Sequence, residues 1–139
     1  MIVCGVDIKG KEAILAVVAL NDDENVEHIA CATKKLALYD HEDASSLIVL
    51  KRAIVAFAGE NKIDSFVIKS RKASGQLAAS GITFKIEALF QLSGTTVSFV
   101  SAPTLSAFAK KSNLATPPQS THGYQADAYR AAAWKLAKV

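Results

Sequence analysis

Cysteine, proline and tryptophan are scarce in this sequence of 139 residues, which has two, three and one of them respectively. Cys4 and Cys31 stand in apolar stretches without CxxC or histidine spacing, which favours buried, reduced thiols and a cytoplasmic protein. The longest apolar run, Ala13 to Leu20, has eight residues, whereas a membrane span needs about 20. Asp7 interrupts the first apolar stretch, so we expect neither a membrane segment nor a signal peptide.

Positive and negative charges are nearly balanced. Sixteen Lys and Arg against thirteen Asp and Glu give a formal net charge of +3, which is too small for a histone-like protein and names no partner by itself. Half of the residues are hydrophobic, and a chain of this length buries roughly two thirds of its unfolded surface. We therefore expect a single domain over residues 1–139 that folds without disulfides or a structural metal.

The apolar spacing predicts three strands, followed by helices and strands in alternation. The three strands, at Ile2–Ile8, Glu12–Leu20 and about Val26–Leu36, form an antiparallel meander. The next elements are a helix that begins at Glu42 or Asp43 and ends at Gly59, and a strand Asp64–Ile68. Ser74–Leu92 is either one broken helix or a loop followed by a helix Phe84–Leu92. The last elements are a strand Thr95–Val100, a helix from Pro103 to about Lys111 and an Ala-rich helix Tyr124–Lys138. This order predicts an α/β fold with a mixed sheet between helices.

Two acidic residues occupy positions where the pattern predicts apolar surroundings. Asp7 interrupts a buried strand, and Asp127 lies seven residues before Trp134, on the stripe of the last helix that should face the sheet. A simpler interpretation is that Asp127 complements the helix dipole and that Asp7 accepts hydrogen bonds from the following turn. Two inward acids near one strand end nevertheless favour a shared Mg²⁺ or Mn²⁺, because hard cations prefer oxygen ligands.

The run Ile2-Val3-Cys4-Gly5-Val6-Asp7 before the meander, together with Gln125-Ala126-Asp127-Ala128 at the last helix, resembles the ribonuclease H-like superfamily and, within it, the RuvC-type Holliday-junction resolvases. The resemblance implies a five-stranded ribonuclease H-like sheet, with three antiparallel meander strands and two parallel strands. It also implies a metal-dependent nuclease with Asp7 and Asp127 as catalytic metal ligands, and a homodimer. Cys4–Ala13 and Thr83–Glu87 further resemble a small bacterial family that is called domain of unknown function 3010. The resemblance to this family implies the fold but no established activity.

One position departs from the resolvase pattern. A resolvase carries a Glu at the end of its fourth strand, where this sequence has Lys69. Glu87, in the helix after that strand, is a candidate for the missing catalytic and metal-ligating acid, although helical spacing also allows it to be an ordinary surface residue.

Five basic residues are expected near the same strand ends: Lys9, Lys69, Arg71, Lys72 and Lys85. A basic rim beside acidic residues suits the backbone of a nucleic acid, whereas the simpler interpretation is a solvated surface or pairing of lysines with the carboxylates. No aromatic residues that could stack on bases are interleaved with these positions. His122, just before the last helix, is either a loop residue or an additional group near the metal site.

Two hypotheses follow. In the first, the protein is a Mg²⁺- or Mn²⁺-dependent nuclease acting on structured or double-stranded nucleic acid, with Asp7, Asp127 and Glu87 as metal ligands. In the second, Lys69 or Lys85 neutralises the acids, and the protein is a non-catalytic binding or dimerisation module.

Overall fold

Six strands and four α-helices make up the described part of the chain, residues 1–70 and 81–138, in this computed structural model. None of these helices is long and apolar enough to cross a membrane. The strands are β1 (Ile2–Lys9), β2 (Glu12–Leu20), β3 (Val26–Ile29), β4 (Lys35–Ala37), β5 (Ser65–Lys69) and β6 (Thr96–Val100), and the helices are α1 (Ala44–Glu60), α2 (Gly81–Gln91), α3 (Ala102–Lys111) and α4 (Ala126–Leu136).

The strands form one mixed sheet in the order β3-β2-β1-β5-β6, with β4 also paired to β2. β1 and β2 are antiparallel, whereas β1, β5 and β6 are parallel to one another. This arrangement confirms the predicted α/β fold with a ribonuclease H-like sheet.

The third predicted strand is divided in two, so the described sheet has six strands rather than five. β3 pairs with Val17–Leu20 and β4 with Glu12–Ile14. Residues 30–34 therefore stand opposite only Leu15 and Ala16, and the extra residues leave the ladder, as in a long bulge. Apolar alternation across Val26–Leu36 does not reveal this excess, because the excess depends on the length of the partner segment.

Local sequence signals place the helices close to their predicted positions. Asp43 caps α1 by accepting a hydrogen bond from the Ser45 amide, as an acidic N-cap residue is expected to do. Helical spacing predicts five inner positions; Leu50, Ile54, Phe57 and Ala58 are buried, and Leu47 is partly buried. α1 continues one residue past Gly59, and α4 begins after a short 3₁₀ turn, Gly123–Gln125.

The two faces of the sheet carry different helices. On one face, Cys4 and Val6 of β1 pack in a core with residues of α1 and α2. On the other face, Val3 packs in a second core with α4 and with Leu105 of α3. Because successive strand residues point to opposite faces, Gly5 and Asp7 belong to the face that α4 covers.

Gly5 allows α4 to lie against β1. A Cβ atom at this position would overlap the Ala128 carbonyl oxygen and would lie 2.7 Å from the Ala128 carbonyl carbon. Only glycine therefore permits this approach, which brings the first turn of α4 over the end of β1 that carries Asp7.

Candidate functional site

A row of four side chains crosses the sheet on the face that α4 covers. Asp7 pairs with Ile14 of β2, and Ile14 pairs with Lys35 of β4. On the other side of β1, Val6 pairs with Ile68 of β5, so Asp7 and Lys69 occupy the next positions along these parallel strands. Paired strand residues point to the same face, and the row therefore runs Lys35, Ile14, Asp7, Lys69.

Asp7 is fully buried within this row, as its position in an apolar strand predicted. The ammonium nitrogen Nζ of Lys9, whose side chain is largely exposed, lies 3.6 Å from Asp7 Oδ2. A buried carboxylate depends on neighbouring positive charge or hydrogen-bond donors, because burial penalises the charged form. The surroundings of Asp7 are therefore suited to cations.

Asp127, in the first turn of α4, is held by two basic side chains. Lys69 Nζ donates a hydrogen bond to Asp127 Oδ2 at 2.8 Å, and an Nη atom of Arg130 donates to Oδ1 at 3.2 Å. Burial alone would raise the pKa of Asp127, but the hydrogen bonds and charges of Lys69 and Arg130 outweigh it and hold the pKa below its usual value. Asp127 is therefore an ionised group in a charge network.

A small cleft of about 130 Å³ opens beside this network, between α3 and α4. Lys69, Asp127 and Arg130 form its polar wall, and the α3 residues Ala102, Leu105, Ser106 and Ala109 form the other side. Arg130 is fixed there by a second hydrogen bond, from its Nε to the Ala115 carbonyl oxygen at 3.2 Å. The cleft suits a compact anionic group in contact with two cations.

The structure places two other candidates on the opposite side of the sheet. α2, which carries Glu87 and Lys85, packs with α1 on the face away from α4. Glu87 is buried, and burial raises its pKa; its Oε2 has no hydrogen-bond partner within the described residues. Lys85 does not join Lys9 and Lys69, because it donates a 2.7 Å hydrogen bond to the His41 carbonyl oxygen.

The structure thus groups Asp7, Asp127, Lys9 and Lys69, whereas Glu87 as a third acid stays a prediction that this geometry does not favour. Within residues 1–70 and 81–138, three or more His, Cys, Asp or Glu side chains nowhere form a group suited to hold a metal ion. Arg71 and Lys72 lie outside the described residues.

Sequence reasoning missed Arg130, although its position three residues after Asp127 on one helix is typical of an ion pair. It also missed an exposed stack beside the row. The His122 and Tyr124 rings lie 5.2 Å apart and nearly parallel, at 11°, and Lys35 Nζ lies 4.3 Å from the centre of the Tyr124 ring. No local pattern predicts this stack, because Lys35 reaches Tyr124 only through the tertiary fold.

Solved structures of Holliday-junction resolvases have a similar fold. The RuvC structure from Thermus thermophilus is 11% identical with a TM-score of 0.66, over 96% of this chain and 92% of that one. The same protein in complex with a Holliday junction substrate gives a TM-score of 0.64 at 11% identity, over 96% and 90%. The structure of Fowlpox virus resolvase with Holliday junction DNA has a TM-score of 0.54 at 14% identity, over 99% of both chains. At these identities the similarity shows the fold.

No curated protein sequence matches the chain significantly. A family profile described as "Protein of unknown function (DUF3010)" matches residues 1–135, nearly the whole chain. The match agrees with the resemblance of Cys4–Ala13 and Thr83–Glu87 to that family, and the structure agrees with a RuvC-like ribonuclease H fold. The protein therefore belongs to the DUF3010 family and has a RuvC-like fold.

Proposed function

We propose that the protein is a nuclease that cleaves structured or double-stranded nucleic acid with Mg²⁺ or Mn²⁺. The observation that carries the proposal is the placement of two carboxylates, the buried Asp7 and the ion-paired Asp127, on one face of the sheet at the carboxyl end of β1. Support also comes from the fold, which is similar to that of two resolvases solved with Holliday junction DNA.

The two carboxylates are compatible with a hard divalent cation. Mg²⁺ is commonly held by one or two carboxylates together with water and substrate phosphates, rather than by a complete set of protein ligands. Asp7 and Asp127 would hold the cation. A third acidic ligand from the protein is not needed, because water and substrate phosphates complete the coordination. When bound, the cation acts as a Lewis acid towards the phosphate group.

The basic side chains of the site bind and orient the nucleic acid in this proposal. Lys9, Lys69 and Arg130 stand beside the two acids, which gives this group a formal net charge of +1. In the free protein Lys69 and Arg130 neutralise Asp127, and on binding they exchange the carboxylate for phosphate oxygens, which the same donors suit. The cleft between α3 and α4 gives a phosphate group access to both cations.

A second candidate function is favoured by one contact. Lys69 Nζ lies 2.8 Å from Asp127 Oδ2, at the position where the resolvase resemblance implies a glutamate. If this ion pair persists when nucleic acid binds, the ammonium group replaces a metal ion, and the protein is a non-catalytic binding module. The homodimer that the resemblance implies stays a prediction under both functions.

Cleavage of a labelled substrate panel separates the two candidates. The panel contains single- and double-stranded DNA, RNA, an RNA/DNA hybrid and a four-way junction, each with Mg²⁺ or Mn²⁺. We expect the wild type to cleave a structured or double-stranded member and Asp7→Asn and Asp127→Asn to reduce the rate to background. Glu60→Gln, which changes an exposed acid at the end of α1, is the matched control and should cleave normally.

The outcomes are distinct. Binding without cleavage by the folded wild-type protein would support the binding module and overturn the nuclease. Failure to bind any member of the panel, with or without metal, would overturn both candidates.

A further inference from the structure

The exposed stack of Lys35, Tyr124 and His122 lies in line with the candidate site and takes no part in the chemistry proposed above. We infer that this stack is a binding site for an unpaired nucleobase of the same nucleic-acid strand whose phosphate binds Lys69 and Arg130 beside the two acids. The inference rests on the proposed function and narrows the substrate class to nucleic acids with an unpaired or splayed nucleotide near the cleavage position, such as branched DNA.

The stack has the geometry and the exposure of a base-binding platform. Its two rings are nearly parallel, 11° apart, and both residues are exposed, with Tyr124 at 37%. Nucleobases stack on such planar side chains without regard to sequence, and a nearby cation adds attraction to the phosphate backbone. Lys35 supplies that cation, 4.3 Å from the centre of the Tyr124 ring.

The platform is held rigidly rather than being a flexible loop feature. Gln125 is buried and connects the 3₁₀ turn to the sheet, because its side-chain nitrogen donates to the Leu15 carbonyl oxygen at 2.8 Å. Its side-chain oxygen accepts a hydrogen bond from the His122 amide at 2.9 Å. A buried amide with both ends bonded fixes the backbone that carries both rings, so little ordering is needed when a base binds.

The register of the sheet gives the distance from the platform to the cleavage position. Lys35 lies in the same row as Asp7, two strands away across β2, which is roughly 10 Å at the usual strand spacing. A stacked strand rises about 3.4 Å per nucleotide, so the platform lies within about three nucleotides of a phosphate at Asp7. The two rings and the row of side chains are on the face that α4 covers, so a single nucleic-acid strand can contact the rings and the row together.

An unpaired base fits the platform better than a paired one. In a continuous duplex both faces of each base are covered by neighbouring bases, and a base must leave the stack before it can pack on a protein ring. At a branch point or a fork this cost is small. The platform therefore distinguishes branched from continuous duplex nucleic acid.

A binding experiment with 2-aminopurine tests the inference independently of cleavage. The probes are a forked DNA with 2-aminopurine at an unpaired position next to the branch and a continuous duplex of the same sequence, both without divalent metal. We expect the wild type to quench the 2-aminopurine fluorescence of the fork as it binds. His122→Ala and Tyr124→Ala should abolish the quenching and weaken binding of the fork by about 5- to 150-fold, the range for loss of one stacking contact.

Binding of the continuous duplex should be unchanged in the same variants. His122→Phe keeps a planar ring at this position and, unlike His122→Ala, should quench the fluorescence. Tyr39→Ala, which removes an exposed tyrosine outside the stack, is the matched control. Thermal melting shows that each variant is folded.

Two failures can be told apart. If the wild type binds neither DNA, the proposed function fails and this inference with it. If the wild type binds the fork but the variants bind and quench like the wild type, or lose affinity equally for fork and duplex, the inference alone is overturned.

Discussion

Lys69 and Asp127 form the contact that most directly separates the two candidate functions. Lys69 is only 17% exposed and Asp127 is 33% exposed, so the pair is screened less than a surface ion pair and desolvated less than a core pair. In the nuclease, Asp127 exchanges this partner for a metal ion. In the binding module, the pair is permanent.

The first prediction concerns the stability of this pair. We expect Asp127→Asn to lower the free energy of unfolding at pH 7 by about 1–2 kcal/mol, between the values for exposed and buried ion pairs. Chemical denaturation of Asp127→Asn, Lys69→Met and the double variant measures the coupling. Additive losses, with no coupling between the two positions, would show that the ion pair contributes nothing to stability.

The contribution of the Lys69–Asp127 ion pair to the free energy of unfolding should also depend on pH. The pKa of Asp127 in the folded protein lies below its usual value of 3.8, so the folded state binds fewer protons than the unfolded state near that pH. Its stabilisation is therefore complete above about pH 3.8 and is lost as the pH falls through the folded pKa. The stability difference between wild type and Asp127→Asn should shrink in acid.

At the scale of elements, the site depends on how closely α4 approaches β1. The approach is possible because Gly5 has no side chain where the Ala128 carbonyl group lies. α4 carries Asp127 and Arg130, and β1 carries Asp7, so the spacing of these two elements sets the geometry of the whole group.

The second prediction follows from this close approach. Gly5→Ala should lower the free energy of unfolding by about 3 kcal/mol, the upper part of the usual range for an overpacked core, because backbone atoms must move. Gly59→Ala is the matched control, since a Cβ there meets no heavy atom within 4 Å, and it should be neutral or stabilise α1 by up to about 1 kcal/mol. Equal effects of both substitutions on urea denaturation would contradict the packing argument.

At the scale of the whole molecule, a metal ion that binds only the folded protein stabilises it. The third prediction is that Mn²⁺ raises the melting temperature of the wild type, because a concentration ten times the dissociation constant contributes about 1.4 kcal/mol. Asp7→Asn should melt at the same temperature with and without Mn²⁺. A wild-type melting temperature that does not respond to Mn²⁺ or Mg²⁺ would favour the binding module.

Much of the fold follows from local patterns. Short apolar and β-branched runs predict β1, β2, β5 and β6, and helical spacing predicts the inner face of α1, because burial on both faces of a strand or on one face of a helix imposes these patterns on a sequence. The inward position of Asp7 is predicted for the same reason, since a charged residue inside an apolar strand has no solvated face to occupy.

Other features do not follow from local patterns. Spacing along α2 allows Glu87 two orientations, and only the packing of α2 with α1 assigns it to the face away from α4. The division of Val26–Leu36 into two strands depends on the length of β2. Lys35 and Tyr124 are far apart in sequence, and β4 and the 3₁₀ turn bring them together.

The sequence by itself determined the order of the elements, the α/β class and the burial of Asp7, and its resemblance to the RuvC-type resolvases indicated the fold, because periodicity and short motifs act within a few residues of each position. Only the tertiary structure decided which partner each basic side chain contacts. Lys69 and Arg130 donate hydrogen bonds to Asp127, Lys85 donates to the His41 carbonyl oxygen, and Lys35 lies over the Tyr124 ring. The physical reason is that an ion pair or a ring stack is governed by distances of a few ångströms between side chains on different elements. Strand register, helix packing and the absence of a side chain at Gly5 set those distances.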